Sequence, residues 1–171
     1  MVEYFKKQEL IDAKKQKTKT ILIYLIVVML YFAYAVPMLL WYLSLPYKDP
    51  QIVTVKLLQF AGGALIILFS ALYLGIAYRR IRDFYKVCLH LDTGLRETSV
   101  GAFLEYDASS QQKDGVDCKA LIFVEWDKYK KDFFERKVLV FYEKEFPVFE
   151  PNQNVKYVTQ GNVLVSYEIL E

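Results

Sequence analysis

The sequence predicts an α+β membrane protein: a two-helix transmembrane hairpin followed by a small, all-β cytoplasmic domain of OB or SH3 type with about five strands. Three observations predict it. Apolar residues make up 54% of the 171 while charged residues are still 25%, so the charges have to be segregated. Residues 20–47 hold no charge, and residues 50–78 hold only Lys56. From residue 97 onward apolar residues recur with period two, as in strands.

Each apolar stretch exceeds the roughly 20 residues that a helix needs to cross a bilayer core. The helices are expected at 20–44 and 52–78, within a hairpin of residues 20–78. So short a chain cannot wrap two such helices, apolar all round, in protein. The first stretch outruns a signal peptide's apolar core and is followed by no small-x-small cleavage site, so it is expected to be retained.

Residues 1–19 form a basic cytoplasmic segment, with Lys6, Lys7, Lys14, Lys15, Lys17 and Lys19 against Glu3, Glu9 and Asp12. Arg79, Arg80, Arg82 and Lys86, with Asp83, follow the second helix. Positive flanks mark the cytoplasmic side. Both flanks agree with the hairpin that the short loop SLPYKDP demands, so both termini are expected in the cytoplasm. The predicted location is the plasma membrane, as a multi-pass protein of a bacterial inner or cell membrane. Lys14, Lys15, Lys17, Lys19, Arg79, Arg80 and Arg82 are the candidate contacts to lipid headgroups. Trp41, Tyr42 and Tyr47 form an aromatic belt at the loop end. Asp49 is placed to cap the second helix with Pro50 at its first position, and Pro37 is expected to kink the first helix.

In the second helix Gly63, Ser70 and Ala77 recur every seven residues, and Ala71 and Gly75 lie four apart. Small residues on one face let membrane helices approach closely. The face is expected to pack on the first helix, on a second copy in a homo-oligomer, or on a partner membrane protein. No buried acid, Arg or His lies in either helix, which argues against a free-standing ion or proton path.

Residues 79–94 predict an amphipathic exit helix. Ile81, Phe84, Tyr85, Cys88 and Leu91 share one face and Arg82, Asp83, Lys86 and His90 the other, with Gly94 as a left-handed stop. The apolar face is expected to dock on the next domain rather than lie on headgroups.

Residues 95–171 predict the β-domain. One strand puts Val100, Ala102, Leu104 and Tyr106 on its apolar side; the next puts Val116, Cys118, Ala120, Ile122, Val124 and Trp126 there. RKVLVFYEKEF is apolar on both faces at its centre, and NVKYV and NVLVSYEIL are joined by a tight hairpin at TQG. DASSQQKDG is expected as a polar excursion and KYKKDFFE as one or two helical turns. Gly101 is the expected bend of the sheet. The layout, a membrane hairpin and then a small cytoplasmic barrel, is similar to that of NfeD-type membrane proteins; the likeness is one of architecture and rests on no residue motif.

No catalytic, cofactor or metal-ligating residues are expected. His90 is the one histidine, and Cys88 and Cys118 lie too far apart in sequence for a metal pair or redox motif, so both read as core hydrophobes. The glycines form no phosphate-binding loop. From residue 83 onward eleven basic residues face sixteen acidic ones, which argues against nucleic acid. The basic-aromatic run Lys128, Tyr129, Lys130, Lys131 is the local exception. The expected function is a non-enzymatic, membrane-anchored interaction or scaffold protein that presents the β-domain to protein partners. The alternatives are an accessory subunit of a larger membrane complex, such as a transporter or protease, and a small-ligand-binding or enzymatic β-domain.

Overall fold

Helix formation begins well before the apolar stretch. In the computed structural model, which describes residues 1–127, 129 and 131–170, α1 runs Lys7–Ser44. Hydropathy marks only its apolar part, from residue 20. The earlier turns are charged, and they hold because Ala13 is buried and Leu10 half-buried against a core cluster, while the Lys6 N–H donates to Glu9 Oε1 at 3.2 Å. Helix α2 spans Gln51–Leu72 and continues through a π-helical turn, Tyr73–Tyr78, into α3, Arg79–Thr93. Asp49 does serve the start of α2, since its Oδ1 accepts the Gln51 N–H at 2.7 Å.

The chain divides into two compact units, Lys15–Arg82 and Met1–Lys14 with Asp83–Glu171. In the first, α1 and α2 are joined largely by tyrosines. Tyr24 O–H donates to Ser70 Oγ at 3.2 Å, Tyr34 O–H to the Leu58 carbonyl at 3.0 Å and Tyr73 O–H to the Thr20 carbonyl at 3.0 Å. Gly62 admits the Tyr34 ring, because a Cβ there would stand 2.7 Å from Tyr34 Cε1.

The second unit is a closed five-strand barrel. Its strands are β2 (Glu97–Lys113), β3 (Val116–Asp127), β4 (Asp132–Phe141), β5 (Asn154–Gln160) and β6 (Val163–Ile169). Consecutive strands β2, β3 and β4 pair antiparallel, and β5 returns by a long connection to lie beside β2, a Greek key. Strand β6 pairs with β5 and closes the barrel on β4 in parallel, at Leu139↔Val163. A two-residue strand that the alternation does not reveal, β1 (Val2–Glu3), adds to β6. Two-residue loops with both residues at positive φ join β2 to β3 at Asp114–Gly115 and β5 to β6 at Gly161–Asn162. The second turn thus falls after TQ rather than across TQG.

DASSQQK is not an excursion but the end of β2, accommodated by irregular pairing between Asp107 and Gln111. The irregularity nearest Gly101 is the shift between Phe103 and Glu105. Residues 132–135 of KYKKDFFE are strand rather than helix; Lys128 and Lys130 lie outside the described residues.

The core has two layers. Phe103, Leu121, Phe123, Val138, Val155 and Tyr157 fill the barrel. Outside it, Phe5, Cys88, Leu91, Cys118, Val158 and Val165 form a second cluster beneath α3 and the first residues of the chain. The apolar side of β3 that carries Cys118 therefore lies in the outer layer, with Cys118 buried there as a core residue, while Val100 of β2 is left 53% exposed. Both faces of β3 are apolar because one fills the barrel and the other is partly sheathed, a case in which alternation cannot choose the inside. Helix α3 does dock on the barrel, burying Val87 together with Cys88 and Leu91. Its end differs from the expected left-handed stop: positive φ occurs at Gly115 and Gly161, not at Gly94. Gly94 is required instead by close approach, since a Cβ would meet the Gln160 side chain and stand 2.6 Å from the His90 carbonyl oxygen.

Candidate interaction surface at the Arg136 end of the barrel

The two ends of the barrel are closed by different chemistry. At one, Phe149 enters from the loop after β4 and packs on Phe103 at 5.4 Å and on Tyr167 at 5.1 Å. Tyr106 fixes that loop, its hydroxyl donating to the Pro147 carbonyl at 3.0 Å and accepting the Phe149 N–H at 2.7 Å.

At the other end the inward positions turn polar. Arg136, two residues before the interior Val138, holds Glu97 with both arms, Nη2 to Oε2 at 2.6 Å and Nη1 to Oε1 at 3.2 Å. Nη1 also donates to Ser99 Oγ at 2.9 Å, and Glu125 Oε1 lies 3.6 Å away. Tyr157 donates its hydroxyl to Glu125. Side chains from β2, β3, β4 and β5 thus meet on one guanidinium, whose own side chain is only 13% exposed. The bond to Arg136 holds the Glu97 carboxyl below the usual glutamate range. Burial, reinforced by Glu125, pushes the Tyr157 hydroxyl well above the usual phenol range. Near the β2 irregularity, hydrogen bonds from Ser109 bring Asp107 down to about 2, aided by Lys137 Nζ at 3.2 Å.

Both carboxyls are lowered in the fold, so each contributes stability above its unfolded pKa and loses it as the pH falls through its folded value. Thermal melts are therefore expected to be level above the ordinary carboxylate range and to drop from there toward pH of about 2. Glu97→Gln with Asp107→Asn should flatten that slope. An unchanged slope would contradict the assignment.

Beyond this cluster the β3–β4 hairpin projects as a two-stranded ribbon. Pairing of β3 with β2 begins at Ala102↔Val124, while Glu125↔Phe134, Trp126↔Phe133 and Asp127↔Asp132 pair only within the hairpin. Trp126 and Phe133 meet edge to face at 4.8 Å and remain 50% and 66% exposed; Tyr129 at the tip is 99% exposed. Asp127 shapes the tip by accepting the Tyr129 N–H on Oδ1 at 2.8 Å and the Lys131 N–H on its carbonyl at 2.8 Å. Large aromatic groups are thus left open beside a satisfied polar network, which makes this end the candidate interaction surface.

The residues singled out by the sequence lie elsewhere. Ser70 faces α1 through Tyr24. Gly63 and Ala71 line an apolar groove on α2 with Phe60, Ala64, Ile67 and Leu68. Gly75 and Ala77 fall in the π-helical turn, and a Cβ at Gly75 would meet nothing within 4 Å. Lys14, Lys15, Lys19, Arg79 and Arg80 are exposed, and Lys17 and Arg82 half-buried. Burial pushes the Cys88 thiol up to about 12 and raises Cys118. Among the described residues no group of three His, Cys, Asp or Glu side chains is placed to hold a metal ion. The Arg136 cluster was missed because Glu125 and Arg136 read as ordinary strand-end charges. The available signal was that each continues the parity of an apolar row, Leu121–Phe123 and Val138–Val140. Compared with models of protein families, with curated proteins and with solved structures, the chain matches none.

Proposed function

We propose that the protein is a non-enzymatic, membrane-anchored interaction module. Helices α1 and α2 cross the bilayer as a hairpin, both termini are cytoplasmic, and the barrel, of OB type, presents the Arg136 end to partners. The observation that carries the anchor is that both helices contain a long apolar window of which none is buried, with Leu30 and Phe60 among the most open side chains at 66% and 78%. The core helix of a soluble protein would bury such a window. The basic flanks support the orientation. The Greek-key closure of five strands supports the OB assignment. The aromatic ribbon supports a docking role, and the mutual pairing of Arg136, Glu97, Glu125 and Tyr157 supports a structural rather than catalytic use of those groups.

An alkaline carbonate wash of membranes tests the anchor. The full-length chain is expected to stay in the pellet, and release without detergent would refute the reading. The apolar groove along α2 favours a second reading, an accessory subunit whose hairpin packs on a membrane partner or a second copy. Gly63→Leu with Ala71→Leu should abolish such an assembly while sparing docking through the barrel.

A further inference from the structure

The outer layer of the barrel is completed by a piece of chain that no neighbouring strand supplies. Residues 1–14 pack with Asp83–Glu171 in one compact unit, while the chain that links them, Lys15–Arg82, forms the other. No peptide bond inside the barrel unit therefore ties this segment to the strands it touches, and recognition alone seats it. The recognition is specific. Val2 and Glu3 pair with Tyr167 and Ser166 of β6. The Tyr4 hydroxyl donates to the Glu145 carbonyl at 2.9 Å, and Lys144 Nζ stands 4.8 Å from the centre of the Tyr4 ring while it holds the Tyr4 carbonyl and Glu9. Phe5 and Ala13 then enter the outer cluster, 5% and 2% exposed. Cys88 lies under this cover: burial, and next the Glu9 carboxylate, push its thiol up to about 12. The seated motif is a short strand, an aromatic anchor and a helix whose Glu9 meets a lysine. Strand addition of this kind takes its affinity from backbone pairing and its specificity from the anchored side chain.

We propose that the surface of the barrel between β6 and Lys144 is a docking groove for this motif, and that a second copy of the chain supplies the motif in trans by exchange of residues 1–14. The segment that fits the groove is the chain's own, so another copy brings the same hydrogen bonds and the same anchor. The effective concentration of each copy's segment sets which one is seated. A barrel without a segment has an open β6 edge and a thinly covered Cys88, so each copy needs one. The proposal goes beyond the docking and anchor readings and depends on neither.

Charge exchange between two full-length chains in mild detergent tests it. The first carries Glu9→Lys, with Cys118→Ala so that Cys88 is its one thiol. The second carries Lys144→Glu and, through Cys88→Ala and Cys118→Ala, has no thiol. Each alone sets like charges against each other in cis while keeping Phe5 and Ala13, and near-ultraviolet circular dichroism of the aromatic interior reports that each is folded. Alone, the first chain should react with a maleimide about five-fold faster than its Glu9 parent. Mixed, exchange restores an opposite pair in both grooves. The rate is expected to fall back to that of the parent, and a tag on one chain should retain the other. Adding Phe5→Ala to the second chain should abolish the rescue. A synthetic peptide of residues 1–14 should slow the reaction as well. A mixture that reacts as the first chain does alone, or rescue that survives Phe5→Ala, overturns the proposal. Protection by the peptide but not by the second chain overturns the assignment of a second copy as donor. If the first chain reacts no faster than its parent, Phe5→Ala takes the place of Glu9→Lys in it, and equal rates there too would show that the segment does not cover Cys88 and overturn the groove itself.

Discussion

Arg136→Ala is expected to lower the melting temperature of the barrel by about 12 °C, from a loss of roughly 3 kcal/mol. The size follows from what is left behind. Glu125, whose side chain is 11% exposed, would keep its charge and its bond from Tyr157 but lose its cation. Glu97 is 66% exposed and can turn to water, so most of the loss lies with Glu125. Arg136→Lys should recover little, since an ammonium cannot hold both Glu97 oxygens and Ser99 together. Arg136→Met combined with Glu125→Gln should recover much of it, because the stranded charge is then gone. A melting temperature within surface-mutation scatter for Arg136→Ala would mean that the cluster does not close this end of the barrel.

Phe5→Ala is expected to destabilise the same unit by about 3 kcal/mol. Phe5 is 5% exposed and belongs to the outer core with Val165, whose carbonyl accepts both the Tyr4 and Phe5 N–H groups at 2.9 and 3.0 Å. Lys144 fastens the same segment, donating to the Tyr4 carbonyl at 2.8 Å and to Glu9 at 2.6 Å. The first fourteen residues are therefore part of the barrel, although more than sixty residues separate them from it in sequence. Removing them should expose Val165 and the side of β6 that β1 covers, with protease sensitivity of the remaining barrel as the readout. Equal melting of wild type and Phe5→Ala would deny the segment that role.

These two sites mark what could not be seen in the sequence. The long helices were legible because length and lack of charge identify them without reference to any partner. The strands were legible as period-two runs, and Asp114–Gly115 was available as a hairpin signal inside what reads as a polar excursion. The inside of the barrel was not legible. Leu121 and Phe123 face inward while Cys118 is covered by the outer layer, so both faces of β3 are apolar and alternation does not choose between them. The N-terminal segment was hidden for a different reason. Its charges read as a basic flank, and its fold depends on contacts with β6, 160 residues away in the case of Val165 to Phe5. The π-helical turn that holds Gly75 and Ala77 was not legible either, since the apolar run through it carries no break in composition.

The central claim is a membrane hairpin with its loop on one side and the barrel on the other, and labelling of single cysteines in intact cells tests it most directly. Tyr47→Cys, in the loop, and Tyr129→Cys, at the ribbon tip, place thiols at sites that are 91% and 99% exposed, against the buried native Cys88 and Cys118. A membrane-impermeant maleimide is expected to modify residue 47 from outside and residue 129 only after the cells are permeabilised. Modification of residue 129 in intact cells, or of neither residue until permeabilisation, would contradict the account.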